Sequence, residues 1–275
     1  MTPESDAIVR PPLTATAVLM LVIGVGCDSP TRPSLTTPPP GHVLLVGFVR
    51  NTAFRAIPDA RIQVVEGSGA GVSVMTDAAG QYVLPGPFTG PVAVLAEKAG
   101  YATVRQSTNL RPGSTGTHRL DFIMEVDGPS VDLAGDWSVT LQADPACEAI
   151  PDGLRTRVYT ATFAPVSSRP QSYSARLGGA DFLHDSPELW PIYGAVAGNS
   201  AYFQVGFFDD GIGVVERLAP SGYLEIMADA EGSASGSKIS APLRGKFEYC
   251  PSGRYFKCEV PPVQCAASAL TLVRR

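Results

Sequence analysis

Apolar and polar residues alternate with a period of two through most of the chain after residue 41, which predicts β-strands. Gly, Pro, Asn and Asp separate the alternating runs, and these residues favour turns. Seven such runs lie between residues 42 and 126; in one of them, ARIQVV, Ile62 and Val64 share a face. Seven short strands at near-regular spacing predict an antiparallel β-sandwich.

A second series of alternating runs follows the short boundary DGPS at 127–130. Consecutive strands with hairpin-sized links tend to close into a barrel, because closure removes unpaired edges. A second sandwich is the alternative. The sequence therefore predicts an all-β protein with a sandwich over residues 42–126 and a barrel-like domain over 131–275. The candidate strands of the second domain span 133–143, 154–166, 171–182, 193–208, 213–219, 222–232, 238–250 and 268–275.

The first apolar run, LTATAVLMLVIGVG at 13–26, is too short for a membrane span of roughly 20 residues. Cys27 follows it, and then the Pro-rich stretch DSPTRPSLTTPPPG at 28–41, which is typical of an extended linker. This order resembles a bacterial lipoprotein signal peptide, although Gly24 stands where that family usually has Leu.

The lipoprotein resemblance implies a signal peptide over residues 1–26 and a mature chain that begins with a lipidated Cys27 and a linker over 27–41. It further implies a membrane anchor and a location in the bacterial cell envelope, in the periplasm or at the cell surface. An ordinary secretory leader with a chance cysteine is the alternative.

The charge balance gives no support for a nucleic-acid partner, since 21 Lys and Arg face 26 Asp and Glu, a net charge of −5. Charged residues make up 17% of the chain, less than the roughly 25% of typical soluble proteins. Low charge combined with 28 Gly and 25 Pro is typical of secreted β-rich domains with many turns. No cofactor-binding motif is visible, so no cofactor is expected.

With Cys27 assigned to lipid, an even number of cysteines remains: Cys147, Cys250, Cys258 and Cys265. An even count in an exported chain predicts disulfides. A zinc site is the competing interpretation, but the sequence contains no Cys-x2-Cys pair.

Several short motifs between residues 42 and 126 occur together: Gly47 in the first run, IPDA at 57–60, TD at 76–77 followed by GQY at 80–82, and AGY at 99–101. In these residues the segment resembles a carboxypeptidase regulatory-like domain, a transthyretin-like sandwich. Gly80 would allow a positive φ in the turn that Asp77 caps. The resemblance implies an accessory module rather than a peptidase, and the sequence has no His-x-x-Glu zinc pair.

The second domain begins with Gly135-Asp136-Trp137, which resembles the Gly-x-Trp motif on the first strand of lipocalins. In that family the Trp plugs the closed end of the barrel, and the resemblance implies that Arg274 or Arg275 stacks on Trp137.

An up-and-down barrel pairs its first strand with its last. Cys147 follows the first strand and Cys265 precedes the last, so the two cysteines would lie at the same end. This geometry favours Cys147–Cys265 with Cys250–Cys258 over Cys147–Cys250 with Cys258–Cys265.

Candidate catalytic residues are few, and no enzyme activity is predicted. Glu216, Glu225 and Asp229 lie on neighbouring strands and could form a glycosidase pair, but acids on strands are usually solvated. Asp209-Asp210-Gly211 is a turn signature. The histidines His42, His118 and His184 share no ligand spacing, and no metal site is predicted.

Binding is easier to motivate than catalysis. The inner face of the predicted barrel could hold a small apolar ligand, although the same side chains could instead fill the core. The residues of this face are Tyr159, Phe163, Phe203, Leu243, Phe247 and Tyr249. Trp190, in the loop LHDSPELWPI at 183–192, is a candidate surface platform for a glycan. We therefore expect a non-catalytic envelope protein that binds a small apolar ligand; a carbohydrate- or protein-binding adhesin is the alternative, and a hydrolase is less expected.

Overall fold

The computed structural model describes residues 43–183, 191–206, 211–254 and 257–275. The predicted signal peptide, the predicted lipidation site Cys27 and the predicted linker lie outside these ranges, as do the loop residues His184 and Trp190. Nearly all regular structure in the described ranges is β-strand, as the alternation predicted. The helix α1 in these ranges, Asp152–Arg155, is a single turn. The described part of the chain has no helix that could span a bilayer.

Two four-stranded sheets form the N-terminal region. One has the order β4-β1-β7, with β8 also paired to β1, and the other has the order β3-β2-β5-β6. Apolar side chains from both sheets, among them Leu45, Ile62, Leu84 and Val94, form one buried core between them, which makes this region a sandwich. The strands are β1 Val43–Asn51, β2 Arg61–Glu66, β3 Ser73–Met75, β4 Gln81–Gly86, β5 Gly90–Glu97, β6 Val104–Leu110, β7 Gly116–Arg119 and β8 Phe122–Met124.

The sandwich differs from the expected pattern in its last run, which forms two short strands instead of one. Both β7 and β8 pair with β1 in parallel, whereas the other strand pairs of the sandwich are antiparallel. The pairing is interrupted between them, where the Phe48 amide donates to the Asp121 carboxylate at 2.9 Å. There a Cβ on Gly47 would lie 2.1 Å from the Leu120 carbonyl oxygen, so the close approach requires glycine.

The turn before β4 has the geometry that its sequence indicated. The Asp77 carboxylate accepts hydrogen bonds from the amides of Ala79 and Gln81 at 2.9 and 2.8 Å. Gly80 has a φ of 71°, in the left-handed region that favours glycine. Asp77 and Gly80 therefore hold the start of β4 against β1.

The C-terminal region is a closed antiparallel barrel of eight strands, which confirms the predicted closure. Neighbours around the ring are β9-β10-β11-β12-β13-β15-β16-β19, and β19 pairs back with β9. Strand β14 pairs with the first part of β15, and β17 with β18 forms a small hairpin. The strands are β9 Gly135–Ala143, β10 Thr156–Pro165, β11 Ser172–Gly178, β12 Ile192–Ala197, β13 Ser200–Val205, β14 Val214–Arg217, β15 Tyr223–Ser235, β16 Lys238–Cys250, β17 Gly253–Arg254, β18 Lys257–Cys258 and β19 Val263–Arg274.

Each end of the barrel carries a distinct set of contacts. At one end the Trp137 ring is buried, and its indole Nε1–H donates to the Leu133 carbonyl at 2.8 Å. At the other end the disulfide Cys147–Cys265 joins the segment after β9 to β19. The loop between β9 and β10 buries Ile150 against the barrel core there. The second disulfide, Cys250–Cys258, links β16 to the small hairpin, so both bonds follow the pairing that the strand order favoured.

Candidate functional site

The sandwich and the barrel are in direct contact through the turn that follows β1. The Thr52 hydroxyl donates a hydrogen bond to the Val196 carbonyl on β12, and both residues are buried. Arg55 donates to the Gly232 carbonyl on β15 at 3.3 Å. These bonds hold one end of the sandwich against the outer face of the barrel.

A cleft of about 1020 Å³ lies beside this contact. The sandwich contributes Arg50, Phe54, Ala56 and Ala79 to its lining. The turn between β10 and β11, residues 165–169, contributes a second wall. The outer face of the barrel supplies the third, with Ser174, Tyr193, Tyr202, Gln204, Gly206 and Glu231.

Strand alternation explains why the barrel presents aromatic side chains to the cleft. On β13 the side chain of Phe203 enters the barrel core, whereas that of its neighbour Tyr202 points outward. On β12 Ile192 is in the core and Tyr193 lines the cleft. Since Tyr202 pairs with Ala195 on β12, the two tyrosines lie on the same outer face of adjacent strands.

Phe54 brings a third aromatic ring to the cleft from the sandwich. Its ring meets Tyr202 edge to face, with 5.3 Å between centroids, and the side chain is 37% exposed. The backbone φ of Phe54 is 59°, a strained value for a bulky residue that persists only where surrounding contacts hold it. The Asn51 side chain stabilises this turn by accepting from the Arg55 amide at 3.0 Å. Phe54 is thus held in a fixed position while part of its ring remains open to solvent.

Some charged side chains around the cleft form ion pairs and others do not. Arg50 stacks on Phe48, with 4.9 Å from its Cζ to the ring centroid. Within the described ranges, the ion pairs involve neither Arg50 nor Arg169. Glu231, on the barrel wall, lies 3.4 Å from Arg244. The cleft therefore offers two guanidinium groups that have no carboxylate partner among the described residues.

Burial raises the pKa of Tyr202, and the nearby carboxylates of Asp229 and Glu231 raise it further. The Tyr202 hydroxyl, which an ordinary phenol pKa already keeps protonated at physiological pH, therefore stays protonated further into the alkaline range and can donate a hydrogen bond. The Tyr193 hydroxyl donates to Ser172 Oγ at 2.7 Å. Both rings thus combine an apolar face with a polar edge.

The structure brings the predicted ligand-lining side chains together inside the barrel. Five of the six are fully buried, and Phe163 and Phe203 pack edge to face with 6.3 Å between their centroids. Tyr249 is partly buried and packs against the same core. The buried five are Tyr159, Phe163, Phe203, Leu243 and Phe247. They belong to one buried hydrophobic core on the inner face of the barrel.

A polar cluster lies within this interior, near the end that carries the Cys147–Cys265 disulfide. Glu216, only 5% exposed, accepts a bidentate pair of hydrogen bonds from Arg157 and another from the Tyr159 hydroxyl at 2.8 Å. Burial would lower the pKa of Arg157, but the bonds to Glu216 and Tyr159 outweigh it and raise that pKa. Burial and the Glu216 charge raise the pKa of Tyr159.

The three candidate catalytic carboxylates do not converge on one site. Glu216 faces the barrel interior, where it pairs with Arg157. Glu225 and Asp229 lie on the outer face of β15, since Leu224, Ile226 and Ala228 occupy the inner face. Glu225 accepts from the Gly213 amide at 2.7 Å, and Asp229 lies 3.4 Å from Arg244. Among the described residues, no group of three or more His, Cys, Asp or Glu could hold a metal ion.

Sequence reasoning missed the cleft, although part of its signal was visible. The alternation of AYFQVGFF at 201–208 already separates outward Tyr202 and Gln204 from inward Phe203. Nothing in the turn NTAFRA at 51–56 indicates that Phe54 would meet those side chains, because they are about 150 residues away in sequence. Trp190, the predicted glycan platform, lies outside the described residues.

Comparison with known families identifies the sandwich. Residues 45–125 match the family model of the carboxypeptidase regulatory-like domain, which confirms the resemblance drawn from Gly47, Asp77 and Gly80. The matched range ends at β8 and leaves the barrel outside it. No curated protein matches the chain.

Proposed function

We propose that this chain is a non-catalytic binding protein of the bacterial cell envelope, and that the cleft between sandwich and barrel is its ligand site. The observation that supports this is the meeting of Phe54 with Tyr193 and Tyr202 across that cleft. Three aromatic rings beside unpaired guanidinium groups form a surface with both stacking and hydrogen-bonding capacity.

Because the barrel core is packed, we place the proposed ligand site in the outer cleft rather than in the barrel interior. The inner-face aromatics contact one another, so a small apolar ligand would have to displace core side chains. The cleft needs no such rearrangement. Its volume of about 1020 Å³ suits a ligand the size of an oligosaccharide or a peptide segment. This favours the carbohydrate- or protein-binding alternative over the apolar ligand.

Preorganisation supports the same proposal. The turn that carries Phe54 is held by the Asn51 side chain and anchored to the barrel through Thr52. A rigid site loses less conformational entropy when a ligand binds, so a given set of contacts yields a higher affinity. The unusual backbone of Phe54 is the kind of local strain that is found at functional sites.

The proposed anchor sets where the cleft operates. Lipid on Cys27 would hold the chain on a membrane, and the Pro-rich linker would extend at up to about 3.1 Å per residue in polyproline II form. The folded region would then stand off the membrane surface, where it can meet an envelope component.

Binding to purified envelope fractions and to a glycan array tests the proposal. Wild-type protein should bind at least one ligand class, and Phe54→Ala and Tyr202→Ala should each weaken that binding about tenfold or more, since each removes one aromatic face. Met75→Ala is the matched control, because Met75 is an exposed apolar residue of the sandwich that does not line the cleft. Thermal melts of each variant separate lost binding from lost folding.

Two results would overturn the proposal. One is wild-type binding that neither cleft substitution changes. The other is a lipid that copurifies with the protein, appears by native mass spectrometry and is retained in Phe54→Ala, since that ligand would lie in the barrel instead.

A further inference from the structure

The unpaired cations of the cleft stand out in a chain whose net charge is −5. Arg50 projects from β1, where its guanidinium packs on the Phe48 ring. Arg169 lies in the turn between β10 and β11, and its amide donates to the Val166 carbonyl at 3.1 Å, which closes that turn. Both side chains line the cleft. A guanidinium with no carboxylate partner is a ready binding group for an anion, because its planar fork matches a carboxylate.

The barrel wall of the cleft also carries a carboxylate, since Glu231 is the cross-strand partner of Tyr202. Arg244 lies 3.4 Å from Asp229 and 3.4 Å from Glu231, so two carboxylates share one cation there. An anionic ligand that rests on Tyr202 would keep its charged groups away from Glu231 and turn them toward Arg50 and Arg169. The charge distribution therefore favours a negatively charged ligand and also determines how that ligand is oriented in the cleft.

Neutral polar groups also belong to residues that line the cleft. They are the hydroxyls of Ser167, Ser168, Ser174, Tyr193 and Tyr202 and the amide of Gln204. Hydroxyl and amide groups match the ring hydroxyls of a sugar, and the faces of Phe54 and Tyr202 match its apolar C–H faces. An acidic peptide could use the two arginines, and its backbone could bond these hydroxyls, but its carboxylate side chains lack the C–H ring faces that would stack on Phe54 and Tyr202.

We propose that the cleft binds an acidic saccharide, with sugar rings against Phe54 and Tyr202 and ring carboxylates paired to Arg50 and Arg169. This inference rests on the proposed function and specifies its ligand class. The aromatic contacts supply affinity for any saccharide of suitable length, whereas the arginines discriminate in favour of a charged one. The two contributions can therefore be separated experimentally.

The test is calorimetric titration of the full chain with an oligouronate and with the same oligosaccharide after its carboxylates are reduced to alcohols. Wild-type protein should bind the oligouronate about tenfold or more tightly at low salt, and the preference should shrink as salt is added. The double variant Arg50→Gln, Arg169→Gln should bind the two saccharides equally. Arg50→Lys, Arg169→Lys should retain part of the preference, because it keeps the charge and loses the bidentate geometry.

Arg111→Gln is the matched control, since Arg111 is exposed in the connection between β6 and β7 and does not line the cleft. It should leave the preference unchanged. A thermal melt of the double variant checks that loss of the Arg50–Phe48 contact has not unfolded the sandwich.

Each contrary outcome has a distinct meaning. Equal wild-type affinity for the charged and the reduced saccharide, abolished by Phe54→Ala, would overturn the acidic ligand and leave the cleft as the binding site. Tighter binding of an oligoglutamate peptide than of the oligouronate would overturn the saccharide class. If neither saccharide binds and Phe54→Ala does not alter envelope binding, both this inference and the proposed function are wrong.

Discussion

Arg274, near the end of the last strand, lies over the indole ring of Trp137 on the first, with 4.6 Å from its Cζ to the ring centroid. The two residues are direct partners in the antiparallel pairing of β9 and β19, the pair that completes the ring of strands. Arg274 also donates hydrogen bonds to the carbonyls of Asp132 and Ala134, which precede β9. One side chain therefore stabilises the junction between the two ends of the barrel sequence.

Arg274→Ala should lower the free energy of unfolding of the barrel by about 1–3 kcal/mol, because it removes the cation–π contact to a buried ring and two hydrogen bonds. Arg275→Ala is the matched control, because Arg275 is also exposed and its contact with Asp136 uses its backbone amide. Urea unfolding followed by Trp fluorescence measures both. Equal destabilisation by the two substitutions would contradict the role given to Arg274.

Removing the two disulfides should have unequal effects. The bond Cys147–Cys265 spans 118 residues and Cys250–Cys258 spans 8. In the chain-entropy model the first stabilises by about 4–5 kcal/mol and the second by about 2–3 kcal/mol. Denaturant unfolding of the Cys147→Ser, Cys265→Ser pair and of the Cys250→Ser, Cys258→Ser pair compares them. A larger loss from the shorter loop would show that strain or packing, not loop closure, governs these bonds.

Thr52→Val should weaken the junction between sandwich and barrel. The substitution keeps the shape of the side chain but leaves the buried Val196 carbonyl without the Thr52 hydroxyl, at a cost of about 1–2 kcal/mol. We expect the two regions to unfold in separate calorimetric transitions in this variant. Thr117→Val, at an exposed position on β7, should leave the unfolding curve unchanged. A single unaltered transition in Thr52→Val would show that other contacts carry the junction.

The barrel should lose stability at alkaline pH through Tyr159. Its pKa in the folded protein is raised above the ordinary value of 10.0 by burial and by Glu216. The unfolded chain therefore loses its phenol proton first as the pH rises above about 10, and the free energy of unfolding declines from there.

Tyr159→Phe abolishes this titration, so its stability should decline less steeply above pH 10 than that of the wild type, although it starts about 1–2 kcal/mol lower at neutral pH because the bond to Glu216 is gone. Urea midpoints measured between pH 7 and 11 give both curves. Tyr101→Phe on the sandwich controls for removal of a hydroxyl elsewhere, and parallel curves for wild type and Tyr159→Phe would refute the prediction.

Cys27→Ser should release the protein from the membrane. If Cys27 carries lipid, metabolic labelling with a radioactive fatty acid should mark the wild-type chain, and the variant should be unlabelled and recovered in the soluble fraction. An unlabelled wild type that is already soluble would favour the ordinary secretory leader. The binding predictions for the cleft do not depend on this result.

Much of the strand pattern could be read from local signals. The alternation in ARIQVV and GQYVLPG predicts β2 and β4, and the turn chemistry of Asp77 with Gly80 predicts where β4 begins. Strand bounds were less accurate where tertiary contacts extend a strand. Strand β19 begins at Val263, five residues before the predicted start at 268, because it pairs with β16 through Tyr249–Val263.

The candidate site could not be derived in the same way. Alternation separates Tyr202 from Phe203, but it says nothing about what lies over the outer face of β13. Phe54 reaches that face only because the turn after β1 is bonded to β12 and β15. The predicted ligand-lining set shows the same limit, since alternation placed those six residues on the inner face without determining whether they enclose a space or fill it.

The sequence by itself determined the all-β class, the two regions, the faces of the strands and an even set of cysteines after residue 41. The strand faces follow from the local period of two, and the strand ends follow from the turn residues. The cysteine count is read directly from the sequence. Only the tertiary structure decided the parallel pairing of β7 and β8 with β1, the packed barrel core and the cleft. Those features depend on contacts between elements that are distant in sequence. A period of two determines which residues share a strand face, but it does not determine which element packs against that face.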